Sequence, residues 1–202
     1  MKASRVEFQF VTADPHYNHA RIIWFAGRPF PDVETMEQSL IKYWNLVVGK
    51  DDNVLVLGDF ILVERERAPQ IVAQLKGHVY LLRGNHDRWR SDEWFKEAGF
   101  ADVYHDPITL GNIVFSHKPM PARELGDRFN VHGHVHRHCS NDVKHLCICP
   151  EVTEYCPLTM KQIREYVNAR GYHTEFEPPP GLTGFTPLGP PGPAGVARAR
   201  RS

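Results

Sequence analysis

The sequence predicts an α/β fold, and three observations carry that reading. Strand-like and helix-like segments alternate through its first half; the strands are short apolar runs; and each run stops on polar residues, the arrangement by which open α/β sheets build sites at strand ends.

The elements follow in order. Val6, Phe8 and Phe10 alternate with Glu7 and Gln9, the period of a strand, which runs through Val11 to a loop at Asp14. From Asp32 to Val48 the apolar residues recur at helical spacing, and Gly49 can end the helix. Val54-Leu55-Val56-Leu57 is a continuous apolar run of the buried-strand type, stopped by Gly58-Asp59. A helix beginning near Pro69 buries Ile71, Val72 and Leu75 and closes at Gly77; strand Val79 to Leu82 then delivers Gly84-Asn85-His86-Asp87. Ser91 caps a short helix through Ala98. Ile108 to Leu110 and Ile113 to Phe115, joined by Gly111-Asn112, predict a hairpin that delivers Ser116-His117. Asn130-Val131 leads to His132-Gly133-His134-Val135-His136, and Lys144 to Cys149 predicts a further strand. Thr159 with Gln162 predicts a capping box on a last helix ending near Gly171.

The chain divides into a compact domain over 1–177 and a Pro/Gly-rich tail over 178–202, whose composition predicts extended or disordered chain. A net charge of +0 gives no global signal for nucleic acid, and the start of the chain has neither a signal core nor a membrane-spanning run, so a cytoplasmic protein with no membrane partner is expected. Cys139, Cys147, Cys149 and Cys156 lack paired C-x-x-C spacing and are expected as reduced, buried thiols. Trp24, Trp44, Trp89 and Trp94 are expected to supply packing area.

Asp14-x-His16, Gly58-Asp59, Gly84-Asn85-His86-Asp87, His117 and Gly133-His134-x-His136 each follow a predicted strand, so they can converge at one sheet edge. Carboxylate and amide oxygens mixed with imidazole suit divalent transition metals, manganese foremost, with iron, zinc and nickel as alternatives. One Asp can bridge two ions through its two oxygens. Two ions about 3.5 to 4 Å apart bind a phosphoryl oxygen and generate a hydroxide at neutral pH, which implies phosphate-ester hydrolysis. His86, between Asn85 and Asp87, is placed to protonate a leaving group. Any one motif alone is a common turn; the ordered set is not.

Taken together, those motifs resemble the calcineurin-like metallophosphoesterase family over about Phe8 to Tyr172. The resemblance implies two mixed β-sheets packed as a sandwich flanked by helices. It implies that Asp14, His16, Asp59 and His136 bind one ion and that Asp59, Asn85, His117 and His134 bind the other, with Asp59 bridging. It also implies that His86 contacts the phosphate while Asp87 orients His86 through its other ring nitrogen. Asn18-His19-Ala20-Arg21-Ile22-Ile23 and Arg28-Pro29-Phe30 suggest a small single-domain bacterial or phage-type branch.

Arg21, Arg28, Arg83 and Arg88 flank the first and third site loops and are candidate substrate contacts, since guanidinium suits phosphate. Tyr17, Asn18 and His19 either line the site or pack its loop. The expected substrate is a phosphorylated small molecule or nucleotide, cut as a monoester or a diester. Two alternatives stand beside the hydrolase: a scaffold of the same fold without catalysis, and a nuclease, which wants a basic or aromatic track that the net charge does not announce.

Overall fold

The structure, a computed structural model, describes residues 6–61, 67–139 and 142–169. The Pro/Gly-rich tail lies outside the described residues.

Strands β1 (Phe10–Thr12), β2 (Asn53–Val56), β3 (His78–Leu82) and β4 (Asp102–Tyr104) run parallel, and β9 (Leu158–Thr159) pairs antiparallel with β1, giving a sheet of order β4-β3-β2-β1-β9. A second sheet has the order β5-β6-β7-β8, from β5 (Ile108–Leu110), β6 (Ile113–Ser116), β7 (Phe129–His132) and β8 (His145–Cys147). There β5 and β6 form the antiparallel hairpin, while β6, β7 and β8 are parallel. Both sheets are therefore mixed.

The continuous apolar run of β2 has a physical reason. Val54 and Val56 enter one core, against Leu40 and Trp44 of α2 (Val33–Val47) and Ile71 of α3 (Arg67–Val72). Leu55, with Leu57 just beyond the strand, enters a second core with Phe115 of β6, Val131 of β7 and Leu146 of β8. The first sheet is thus covered by helices on one face and by the second sheet on the other, so every position of β2 after its first residue, Asn53, is apolar and buried until the strand ends. Each such side chain contributes about 1.5–3 kcal/mol by leaving water.

Local signals act as the sequence suggests. The Asp32 side chain accepts from Thr35 N–H at the start of α2, and Ser91 accepts from Trp94 N–H at the start of α4 (Asp92–Glu97). Thr159 and Gln162 form the capping box of α6 (Met160–Asn168). The pattern-based reading lacks α5 (Ala122–Leu125), β4 and β9, which are too short for periodicity to register, and α1 (Ala20–Ala26), which starts at His19 without a side-chain cap to mark it.

Two expectations need correction. Cys139 and Cys147 are paired as a disulfide, whereas Cys149 and Cys156 are free and buried. The pairing follows from β8, which sets Cys147 opposite His132, while the 3₁₀ turn His136–His138 brings Cys139 back to a Cα separation of 5.7 Å. Trp44 and Trp94 are buried as expected, but Trp24 and Trp89 are 73% and 75% exposed. Among the described residues no helix is long and apolar enough to cross a membrane.

Candidate metal centre

Because β1, β2 and β3 are parallel, their C-terminal ends share one edge, and β6 and β7 share the corresponding edge of the second sheet. The first edge supplies Asp14, His16, Asp59 and Asn85, and the second supplies His117, His134 and His136. Cross-links hold the two edges together: His134 N–H donates to Asp14 Oδ2 at 2.7 Å, and His117 Nδ1 bonds the Leu57 carbonyl at 2.9 Å.

The loops are held in an uncommon conformation. Among the described residues eight non-glycine positions have positive φ, and Asp14, His16, Asn18, Asp59, His134 and His136 are six of them. Left-handed backbone at so many non-glycine positions is costly, and it persists where surrounding structure enforces a functional geometry. Two neighbouring glycines are fixed by contact. A methyl at Gly84 would press into the Asp59 carboxylate and backbone, and one at Gly133 would press into the Asp14 carboxylate.

Two groups of donor atoms at the strand ends each lie within 4.8 Å of one another: Asp14, His16 and His136, and Asp59, His117 and His134. Asp59 Oδ2 lies between them, 3.7 Å from His16 Nε2 and 3.5 Å from His117 Nε2. Asn85 Oδ1 is 2.8 Å from His117 Nε2. A carbonyl can only accept, so the bond to Leu57 fixes the His117 proton on Nδ1 and turns a lone pair toward Asn85 Oδ1 and Asp59. That lone pair and the Asn85 amide oxygen are placed to share a cation.

Other groups make the same demand. Asp14 Oδ1 and His16 Nε2 are buried with no hydrogen-bond partner. Burial, then the charge of Asp59, raises the Asp14 carboxyl well above its usual range, and burial raises Asp59. Burial first, then Arg28, lowers His16 well below its usual range, and burial lowers His117 and His134. Buried carboxylates lacking positive charge and neutral imidazoles offering lone pairs together fit divalent cations.

Several candidates lie elsewhere than the sequence suggests. Asp87 does not orient His86. Its buried carboxylate accepts from Asp59 N–H and Gly84 N–H, each at 2.7 Å, and from Phe60 N–H at 3.3 Å, so it braces the second and third loops. His86 reaches the site otherwise: its backbone N–H donates to Asp59 Oδ1 at 2.8 Å, and its exposed ring has Nε2 3.9 Å from Asp59 Oδ2. Arg83 donates to the Asp87 carbonyl, to the Arg90 carbonyl and to Asp92, fastening the third loop from behind. Arg28 is only 3% exposed, with bonds to the carbonyls of Asp14 and Pro15 and to Glu151, which leaves no face for substrate. Arg21 and Arg88 stay exposed at the rim. Tyr17 packs on Phe60, while His19 faces His16 at 3.1 Å between ring nitrogens.

Glu151 is the site residue that motif reasoning misses. It accepts from Arg28 Nε at 2.8 Å and lies 3.2 Å from His136 Nδ1, which commits that nitrogen to donating and leaves Nε2 for a metal. Burial alone would raise its carboxyl, but the charge of Arg28 and the hydrogen bonds from His136 and Arg28 prevail and hold it at about 2. One signal was available: Glu151 is the lone charge in the run Leu146 to Val152.

Several known proteins are similar to this chain. Residues 10–164 match the family model for calcineurin-like phosphoesterases. An uncharacterized protein, MJ1445 of Methanocaldococcus jannaschii, is 31% identical over 164 residues, covering 76% of this chain and 88% of that one. The gene 66 protein of Mycobacterium phage L5 is 35% identical over 79 residues, 38% of each chain. Among solved structures, the protein of unknown function AQ665 from Aquifex aeolicus superposes with a TM-score of 0.59 at 20% identity, covering 77% of this chain and 97% of that one, a likeness of fold. The chain belongs to the calcineurin-like phosphoesterase family, whose members are generally metal-dependent.

Proposed function

We propose that the protein hydrolyses phosphate esters with two divalent transition-metal ions, manganese foremost, held by Asp14, His16, Asp59, Asn85, His117, His134 and His136. The observation that carries this reading is the single oxygen Asp59 Oδ2, set between His16 Nε2 at 3.7 Å and His117 Nε2 at 3.5 Å and so able to serve both donor groups.

The chemistry supplied by such a pair is Lewis acidity toward a phosphoryl oxygen and a water acidic enough to attack phosphorus near neutral pH. This chain's residues do the rest. Asp59 fixes the spacing of the two donor groups, and Glu151 and the Leu57 carbonyl set the tautomers of His136 and His117. His86, exposed and tied to Asp59 through its backbone, gives a proton to the departing oxygen. Asp87 and Arg83 keep the His86 loop in place.

The test is hydrolysis of bis-p-nitrophenyl phosphate and p-nitrophenyl phosphate by protein of measured metal content. Turnover that rises with bound manganese and disappears in Asp59→Asn supports the reading. Inactivity of fully metal-loaded protein on both esters overturns it and favours a scaffold without catalysis.

A further inference from the structure

Three exposed aromatic side chains lie on the segments that follow two of the site loops. Among the described residues the large exposed hydrophobics are Trp24, Phe25, Leu46, Trp89 and Val143, and the three aromatic ones sit on the two segments that leave the site loops. Trp24 and Phe25 lie on α1, which begins directly after His19, and their rings meet edge-on at 5.0 Å. Trp89 ends the 3₁₀ turn Asp87–Trp89, three positions after His86. At helical rises Trp24 lies about 7 Å along the chain axis from His19, and Trp89 about 6 Å from His86. The two segments meet at the centre, where the His86 ring lies 5.3 Å from that of His16 and 5.9 Å from that of His19.

Cations accompany the aromatics. Arg88 holds its guanidinium 4.5 Å from the centre of the Trp89 ring, and Arg21 is exposed on α1. Beside His117, a groove of about 240 Å³ has Lys118 and Arg83 in its wall. That volume falls below the roughly 300–1,000 Å³ of sites that enclose a small molecule. A substrate extending over the open rim gains more from this surface than one enclosed in that groove. Exposed rings that offer a face, interleaved with cations along a backbone path, are how proteins hold single-stranded nucleic acid without reading its sequence.

We infer that the site takes single-stranded nucleic acid, with the phosphodiester over the metal centre and adjacent bases stacked on Trp89 and on the Trp24–Phe25 pair. As an assignment of substrate it rests on the hydrolase reading, and its test is binding, which needs no turnover. Affinity for a short single-stranded oligonucleotide is compared with that for an abasic strand of equal length by fluorescence anisotropy, using metal-loaded protein. Wild type is expected to prefer the strand with bases by about ten-fold, the effect of stacking one or more bases. Trp89→Ala and Trp24→Ala each reduce that preference several-fold, and the double variant brings it near unity. Equal affinity of wild type for both strands, or an unchanged preference in the double variant, overturns the inference. So does a change in sedimenting mass of the double variant with strand preference intact, which assigns the rings to contact with another copy of the chain. Bis-p-nitrophenyl phosphate hydrolysis on the same preparation reports separately on the hydrolase reading: base preference without turnover keeps the single strand as the ligand of this surface and removes the hydrolase, and with it the assignment of that strand as substrate.

Discussion

Arg28 and Glu151 are 123 positions apart in the chain and their buried side chains meet at 2.8 Å. The pair joins the first site loop to the turn after β8. Arg28 grips the carbonyls of Asp14 and Pro15, and Glu151 aims His136. Removing one partner of a buried pair strands the other charge and costs about 3–5 kcal/mol. Glu151→Ala is therefore expected to lower unfolding stability by about that much, measured by urea denaturation. It should also weaken divalent metal binding by about ten- to a hundred-fold, measured by calorimetry.

The same pair carries a pH signature. The Glu151 carboxyl is at about 2 in the folded chain and near its ordinary value in the unfolded one, so between those values the unfolded state binds more protons. Its contribution is fully present above about 4.5 and is lost as pH falls toward 2. Melting curves of wild type and Glu151→Gln should converge as pH falls through that window and run parallel above it. A constant gap at every pH would count against the assignment.

His86 and Asp59 should separate chemistry from metal binding. His86→Ala is expected to lower kcat by about a hundred- to ten-thousand-fold with metal content unchanged, the scale of one proton-transferring group. Asp59→Asn should lose both activity and metal, since one oxygen serves both donor groups. Metal analysis beside kinetics distinguishes the two.

Gly133→Ala tests the packing of the loops. The added methyl would meet the Asp14 carboxylate, and the Ala13 side chain lies 2.7 Å away, so Asp14 must shift. The variant should fold with reduced stability and bind metal at least ten-fold more weakly, by a displacement of the kind that loosens precise ligand sets. Metal affinity equal to wild type would show that the loop yields without moving Asp14.

Metal should also stabilise. Asp14 and Asp59 are carboxylates whose burial raises their pKa, so charge compensation by a cation favours the folded chain. Free manganese at a hundred times its dissociation constant should add about 2.7 kcal/mol, seen as a rise in melting temperature that chelation reverses.

What the sequence makes legible is what repeats or alternates. The run at β2, the Thr159 capping box and the ordered Asp, Asn and His motifs each state their structure locally, and those seven metal candidates do gather at one place. Less legible is anything decided by a distant partner. Arg28 looks like a phosphate contact until Glu151 arrives from the other end of the domain. Asp87 lies next to His86 yet points its oxygens at Gly84 and Asp59. Trp24 and Trp89 resemble Trp44 and Trp94 in sequence, and only the packing tells that two are inside and two are out.

The core shared by the two sheets has a consequence beyond stability. Leu55, Phe115, Val131 and Leu146 meet between them, while the metal candidates are divided between the sheets, Asp14, His16, Asp59 and Asn85 on one and His117, His134 and His136 on the other. The thickness of that apolar layer is thus a ruler for the gap that the ions would bridge. A cavity such as Leu55→Ala, which costs about 2–5 kcal/mol, would change the calibration of the centre without touching a single donor atom.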